Sequence, residues 1–121
     1  MKPMAEHLQS GKQAEQLACN YLEKQGLKLV QRNFYCRRGE IDLIMQDGQT
    51  LVFIEVRYRR NGYHGSALES ITSRKQSRII TTAQHYLMQS GWAHNCRFDA
   101  IAITANQPDQ ILWIRDAFQL N

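Results

Sequence analysis

The sequence predicts one mixed α/β domain over residues 1–121, with its elements in the order αβββαββ. Three observations carry that expectation: two stretches with helical apolar spacing, several runs of strand character, and an Asp-Gly pair that joins two of those runs. A chain of 121 residues, 43% hydrophobic and 21% charged, suits a single soluble core.

The first helix is expected from about Ser10 to Gln25. Ala14, Leu17, Ala18, Tyr21 and Leu22 follow one face, Ser10 with Gln13 offers a capping box, and Gly26 supplies a C-terminal stop. Ala5 and Leu8 would extend the pattern by a further turn. Three strands follow at Lys28 to Cys36, Glu40 to Gln46 and Leu51 to Tyr58. Asp47-Gly48 links the second to the third and makes them antiparallel neighbours. After a glycine-containing loop from Arg59 to Ser70, Ser73 and Gln76 form a second capping box. Ile79, Ile80, Ala83, Tyr86 and Leu87 mark the buried face of a helix ending near Gly91. Its other face carries Arg74, Lys75, Arg78 and His85. Arg97 to Thr104 and Ile111 to Arg115 complete the sheet, the first placed centrally because it is apolar after Asp99.

Several classes are excluded. Glu6, Lys12, Glu15 and Glu23 interrupt any signal-like apolar stretch, and the apolar runs Leu51 to Ile54 and Ala100 to Ile103 fall far short of the roughly 20 residues of a membrane helix. A cytoplasmic protein is expected. Cys19, Cys36 and Cys96 lack metal-ligand clustering and read as buried thiols. His7, His64, His85 and His94 show no ligand spacing and read as surface residues, and Trp92 and Trp113 as packing residues. The net charge of +4 decides little by itself. If Glu40, Asp42 and Glu55 gather at one site, 8 acidic residues face 15 basic ones elsewhere, a surface suited to a phosphate backbone approaching an acidic pocket.

The chemistry concentrates in the hairpin. A period of two places Glu40 and Asp42 on one face of their strand and Ile41 and Leu43 on the other. Phe53, Glu55 and Arg57 share a face of the partner strand. If the two acid-bearing faces coincide, Asp42 and Glu55 reach a common cation, and oxygen donors without nearby His or Cys favour Mg²⁺ or Mn²⁺. The competing reading is a solvated acidic face with Glu55 paired to Arg57 or Arg59. Against it, Glu55 follows the run Leu-Val-Phe-Ile, where a buried strand does not casually accept a charge.

Gly39-Glu40-Ile41-Asp42-Leu43-Ile44 and Val52-Phe53-Ile54-Glu55-Val56-Arg57-Tyr58-Arg59 resemble the paired motifs of the bacterial YraN-like family. Gly11 to Ala18, Arg32-Asn33, Lys75 and Arg97-Phe98-Asp99 extend the resemblance over nearly the whole chain. Members of that family are predicted nucleases related to archaeal Holliday junction resolvases, within the PD-(D/E)xK group. The resemblance implies a restriction-endonuclease-like mixed sheet flanked by helices. It also implies a metal held by Asp42, Glu55 and the Val56 carbonyl, with Glu15 from the first helix facing the site and Arg57 as the basic group. Helical geometry permits Glu15 that position, at the edge of the stripe made by Ala14, Leu17 and Ala18; an exposed helical charge is the competing reading.

One departure matters. The family pattern has Lys where this chain has Arg57, and a guanidinium stabilises charge but does not act as a base. Lys75 is an alternative source of an ammonium. Arg37, Arg38, Arg59, Arg60, Lys75 and Arg78 are expected nucleic-acid contacts, with Tyr35, Tyr58 and Tyr63 interleaved as stacking groups; a solvated basic face competes. The resemblance thus implies a Mg²⁺- or Mn²⁺-dependent endonuclease acting on DNA, branched or single-stranded, with RNA left open and a homodimer by analogy to the resolvases. The alternatives are a nucleic-acid-binding module that keeps the fold without turnover, which Arg57 favours, and a protein-interaction domain with merely solvated acids.

Overall fold

The computed structural model describes residues 11–59, 70–104 and 110–119. The elements are α1 (Gly11–Lys24), β1 (Lys28–Cys36), β2 (Gly39–Asp47), β3 (Thr50–Arg59), α2 (Ser73–Ser90), β4 (Cys96–Thr104) and β5 (Gln110–Phe118). They form one five-stranded sheet in the order β1-β2-β3-β4-β5. Neighbours run antiparallel except β3 and β4, which are parallel because α2 carries the chain back across the sheet between them. The sheet is therefore mixed, in the expected order αβββαββ, and the arrangement is restriction-endonuclease-like. None of the described helices is long and apolar enough to cross a membrane.

Local chemistry explains most boundaries. Gly26 adopts φ 102°, which lets the Leu27 N–H donate to Leu22 O at 3.1 Å and close α1. Gly48 at φ 63° opens the two-residue connection between Asp47 and Thr50, which are paired across the hairpin. The start of α2 departs from expectation. Thr72, not Ser73, is its N-cap and accepts from the Lys75 N–H at 3.2 Å, while the Gln76 side chain donates to Ile71 O at 3.0 Å. Thr72 is preferred because its backbone is extended whereas Ser73 is already helical. Gly91 ends α2 in the left-handed region, as expected. The proposed Ser10 cap and the extra turn before it lie outside the described residues.

Each helix covers one face of the sheet. Ala14, Ala18, Cys19 and Leu22 of α1 pack with Leu43, Met45, Val52, Ile54, Ile101 and Ile103. Ile79 and Ala83 of α2 pack with Ile41, Ile44, Phe53, Phe98 and Ala100. Ile41 and Leu43 thus lie on opposite faces, which corrects the strict alternation read from sequence. The cause is a local irregularity shared by two strands. Asn33 on β1 has φ 48°, a conformation Asn tolerates better than most residues, and Arg32 reaches Cys19 on the α1 side while Phe34 joins the α2 side. Register is kept across the irregularity, so β1 and β2 change faces together at Asn33 and Asp42.

The β2–β3 ladder stops at Leu43 and Ile54. Beyond that pair, β2 stays with β1 to Gly39 and β3 stays with β4 to Arg59. The sheet forks there. One prong carries Glu40 and Asp42, and the other carries Glu55 and Arg57.

Candidate metal centre

Where the ladder ends, a side chain replaces the missing backbone partner: Asp42 Oδ2 accepts the Val56 N–H at 2.8 Å. This bond keeps the fork from opening further and aims the Asp42 carboxylate between the prongs. α1 brings Glu15 to the same place. Asn33 Nδ2 donates to Glu15 Oε1 at 3.0 Å and to Glu40 Oε2 at 2.8 Å, so one amide ties a helix carboxylate to a strand carboxylate. Oxygens of Glu15, Glu40 and Asp42 all lie within 4.8 Å of one another, and each residue is half-buried.

Such a gathering of like charges is costly, and Asp42 registers the cost. Its pKa is pushed up to about 8, first by burial and then by the Glu55 carboxylate, with Glu15 and Glu40 adding to the effect and the Val56 N–H opposing it. The donor set fits a hard divalent cation: oxygen ligands only, held close together, with a negative charge that burial disfavours until something positive offsets it.

Glu55, buried to 5% exposure, faces α2 and meets two cations. Its Oε2 lies 3.2 Å from Arg57 Nη1 and 3.2 Å from Lys75 Nζ. Arg57 is steadied from behind by donating through Nε to Ser70 Oγ at 3.1 Å. The ion pair of Glu55 with Arg57, which the competing reading of the sequence expected, is thus present, joined by an ammonium from the first turn of α2. The expected pair Asp42 and Glu55 is close enough for one carboxylate to raise the other's pKa, while the tightest triplet is Glu15, Glu40 and Asp42.

The basic residues separate into two groups. Lys75 turns to Glu55, and Arg59 sits half-buried at the end of β3. Arg37 and Arg38, exposed on the β1–β2 turn, and Arg78, exposed on α2, line a common cleft of about 670 Å³ with Arg74 and Glu40. Arg60 lies outside the described residues, as do Tyr63, His7 and His64. His85 and His94 are exposed as expected. Cys19 is buried, whereas Cys36 and Cys96 are only half-buried, a partial correction; all three are free.

Sequence reasoning left Asn33, Ser70 and Arg74 out of the candidate site, and it considered Glu40 gathering there with Asp42 and Glu55 without naming it a metal ligand. Asn33 carried no spacing signal, because its role depends on a backbone irregularity. Asp99 proves structural: fully buried, it accepts from Arg97, Trp113 Nε1 at 2.9 Å and the Asp116 N–H at 2.9 Å. Trp113 also packs edge-on against Tyr21, in line with a packing role.

Comparison with known proteins places the chain among close relatives. A protein from Nitrosococcus oceani described as a UPF0102 protein is 58% identical over 99% of this chain and 98% of its own length. UPF0102 proteins from Stutzerimonas stutzeri and Saccharophagus degradans are each 52% identical, over 96% and 98% of this chain and 99% of their own lengths. The family model described as uncharacterised protein family UPF0102 matches residues 14–103, which include the fork, Glu15, Asn33 and Lys75. The chain belongs to the UPF0102 family, the group of YraN-like proteins.

Proposed function

We propose that this protein is a divalent-cation-dependent endonuclease of the cytoplasm that hydrolyses phosphodiester bonds in DNA. The observation that carries the reading is the forked sheet, which gathers Glu15, Glu40 and Asp42 within 4.8 Å and sets the Glu55, Arg57 and Lys75 cluster beside them. A structural acidic patch would not need two carboxylates tied together by one amide beside a third, nor an Asp held at the cost of a strongly raised pKa.

Asp42 is the central ligand of the reading, with Glu55, Glu15, Glu40 and the Val56 carbonyl available around it. A bound Mg²⁺ or Mn²⁺ would supply charge to polarise the scissile phosphate and to lower the pKa of an attacking water. The chain's own residues do the rest. Lys75 and Arg57 neutralise Glu55 and present positive charge where a phosphodiester gains negative charge on attack. Of the two, Lys75 has the compact, rotatable and titratable group, so it takes the role that the family pattern gives to a Lys at position 57. Arg57, tied to Ser70 and Glu55, acts as a fixed positive charge.

The test is incubation of pure protein with labelled single-stranded, nicked and four-way-junction DNA in Mn²⁺, Mg²⁺ or EDTA, beside Asp42→Asn and Glu40→Gln. Metal-dependent cleavage is expected from the wild type, with a loss of at least about a hundredfold in Asp42→Asn. Equal cleavage in EDTA, or undiminished activity in Asp42→Asn, would remove the reading. One observation favours a second reading: both cations near Glu55 are already engaged with it, as in a site that has lost turnover and only binds nucleic acid. DNA binding without metal-dependent cleavage on any substrate selects that alternative.

A further inference from the structure

The cleft between the β1–β2 turn and α2 adjoins the metal cluster at Glu40, and four arginines line it. One wall is the turn from Tyr35 to Glu40, and the other is α2 at Arg74, Ser77 and Arg78. Arg74 and Arg78 are one helical turn apart and so project from the same face. Together with Arg37 and Arg38 they place four exposed guanidinium groups around about 670 Å³, and none of the four forms an ion pair with a described carboxylate. The one carboxylate in the lining, Glu40, is already bonded to Asn33. Four exposed guanidiniums lining one cleft, unpaired with any described carboxylate, attract anions, and a guanidinium fork matches a phosphate in shape.

Tyr35 adds a second, independent demand. It lies on an edge strand with 65% of its surface exposed, and it lines the same cleft. Its partner across the β1–β2 ladder is Glu40, and directly opposed side chains lie about 4.5–5.5 Å apart at Cβ. An aromatic ring is thus adjacent to the carboxylate that leads into the metal cluster. Gly39 holds the walls together: a Cβ there would meet Thr82 Oγ1 at 3.2 Å and Arg78 Cβ at 3.6 Å.

We propose that this cleft binds an unpaired DNA strand, its phosphates on Arg37, Arg38, Arg74 and Arg78 and a base stacked on Tyr35, and that it directs the strand past Glu40 toward the carboxylates. A duplex keeps its bases stacked on each other and offers no free face to Tyr35, whereas an unpaired strand offers both a base face and a flexible backbone. The direction of the strand rests on the nuclease reading; the binding site itself does not.

The experiment measures fluorescence anisotropy of labelled oligo(dT) and of a blunt duplex, in EDTA so that no turnover occurs. Oligo(dT) is expected to bind at least about tenfold more tightly than the duplex. Tyr35→Leu should weaken oligo(dT) binding by about fivefold or more, Tyr35→Phe should retain it, and neither should alter duplex binding, because stacking contributes about 1–3 kcal/mol per base. Arg74→Gln with Arg78→Gln should flatten the salt dependence by about 1.4 in log–log slope, two contacts at about 0.7 each. Equal affinity for duplex, or wild-type oligo(dT) affinity in folded Tyr35→Leu, overturns the proposal. Manganese-dependent cleavage that survives this loss would leave the nuclease reading standing without the cleft. Tyr35-dependent binding without cleavage by the same preparation would leave the cleft standing without the nuclease.

Discussion

Burial and the neighbouring carboxylates of Glu55, Glu15 and Glu40 raise Asp42 to about 8, and the consequence for stability has a definite sign. The folded protein keeps a proton that the unfolded chain releases near the ordinary value of 3.8. Stability contributed by this group is therefore fully present below about pH 4, falls as pH rises toward about 8, and changes no further above it. Urea melts in EDTA should show wild type losing stability relative to Asp42→Asn across that window, by at most about 1.4 kcal/mol per pH unit. Parallel curves would show that Asp42 is not raised. A second expectation at this scale separates the two cations beside Glu55. If Lys75 is the working ammonium, Lys75→Ala should lower cleavage by about 10²–10³-fold, as loss of one positioned charge-stabilising donor does. Arg57→Lys should change the rate by less than about tenfold. The opposite pattern, an inert Lys75→Ala and a strongly accelerated Arg57→Lys, would return the role to position 57.

Among the elements, α2 connects stability to the site most plainly. Thr72 caps it through the N–H of Lys75, the residue whose ammonium meets Glu55. Thr72→Ala should cost about 1 kcal/mol in thermal or chemical melts, and by fraying the first turn it should also lower cleavage. A variant with unchanged stability would show that the cap contributes nothing. Ser73→Ala, the cap suggested by the sequence, should by comparison be nearly neutral. The contrast shows what local pattern conveys and what it does not. Alternation and the Asp-Gly pair were enough to give β2, β3 and their antiparallel hairpin, and Gly26 and Gly91 gave both helix ends. The same alternation failed at Ile41 and Leu43, because the face change comes from Asn33 at φ 48° on a different strand. Asp42 and Glu55 were legible as carboxylates in adjacent strands of an apolar sheet. Glu55's engagement with Lys75 was not, since it depends on how a helix that begins at Ser73, well beyond the end of β3, lies across the sheet, outside any period in the sequence.

At the scale of the whole molecule, the described acidic and basic groups fall into distinct clusters. Glu15, Glu40 and Asp42 collect in the fork, and exposed arginines line the adjoining cleft, while Glu55, Asp47 and Asp99 are each paired with basic residues. The far side of the sheet is anchored differently. Asp99 is saturated by Arg97, Trp113 and the Asp116 backbone, so its motif stabilises the β4–β5 edge. The proposed function has the fork hold a divalent cation, which would offset Glu15, Glu40 and Asp42, carboxylates that have no ion pair among the described residues. Calorimetric titration of Mn²⁺ into the metal-free protein at pH 7 tests that claim most directly. Saturable binding that releases up to about one proton is expected, because Asp42 must give up the proton its raised pKa retains, and Asp42→Asn should lose both the binding and the proton release. Absence of binding at millimolar Mn²⁺, or the same binding in Asp42→Asn, would contradict the claim.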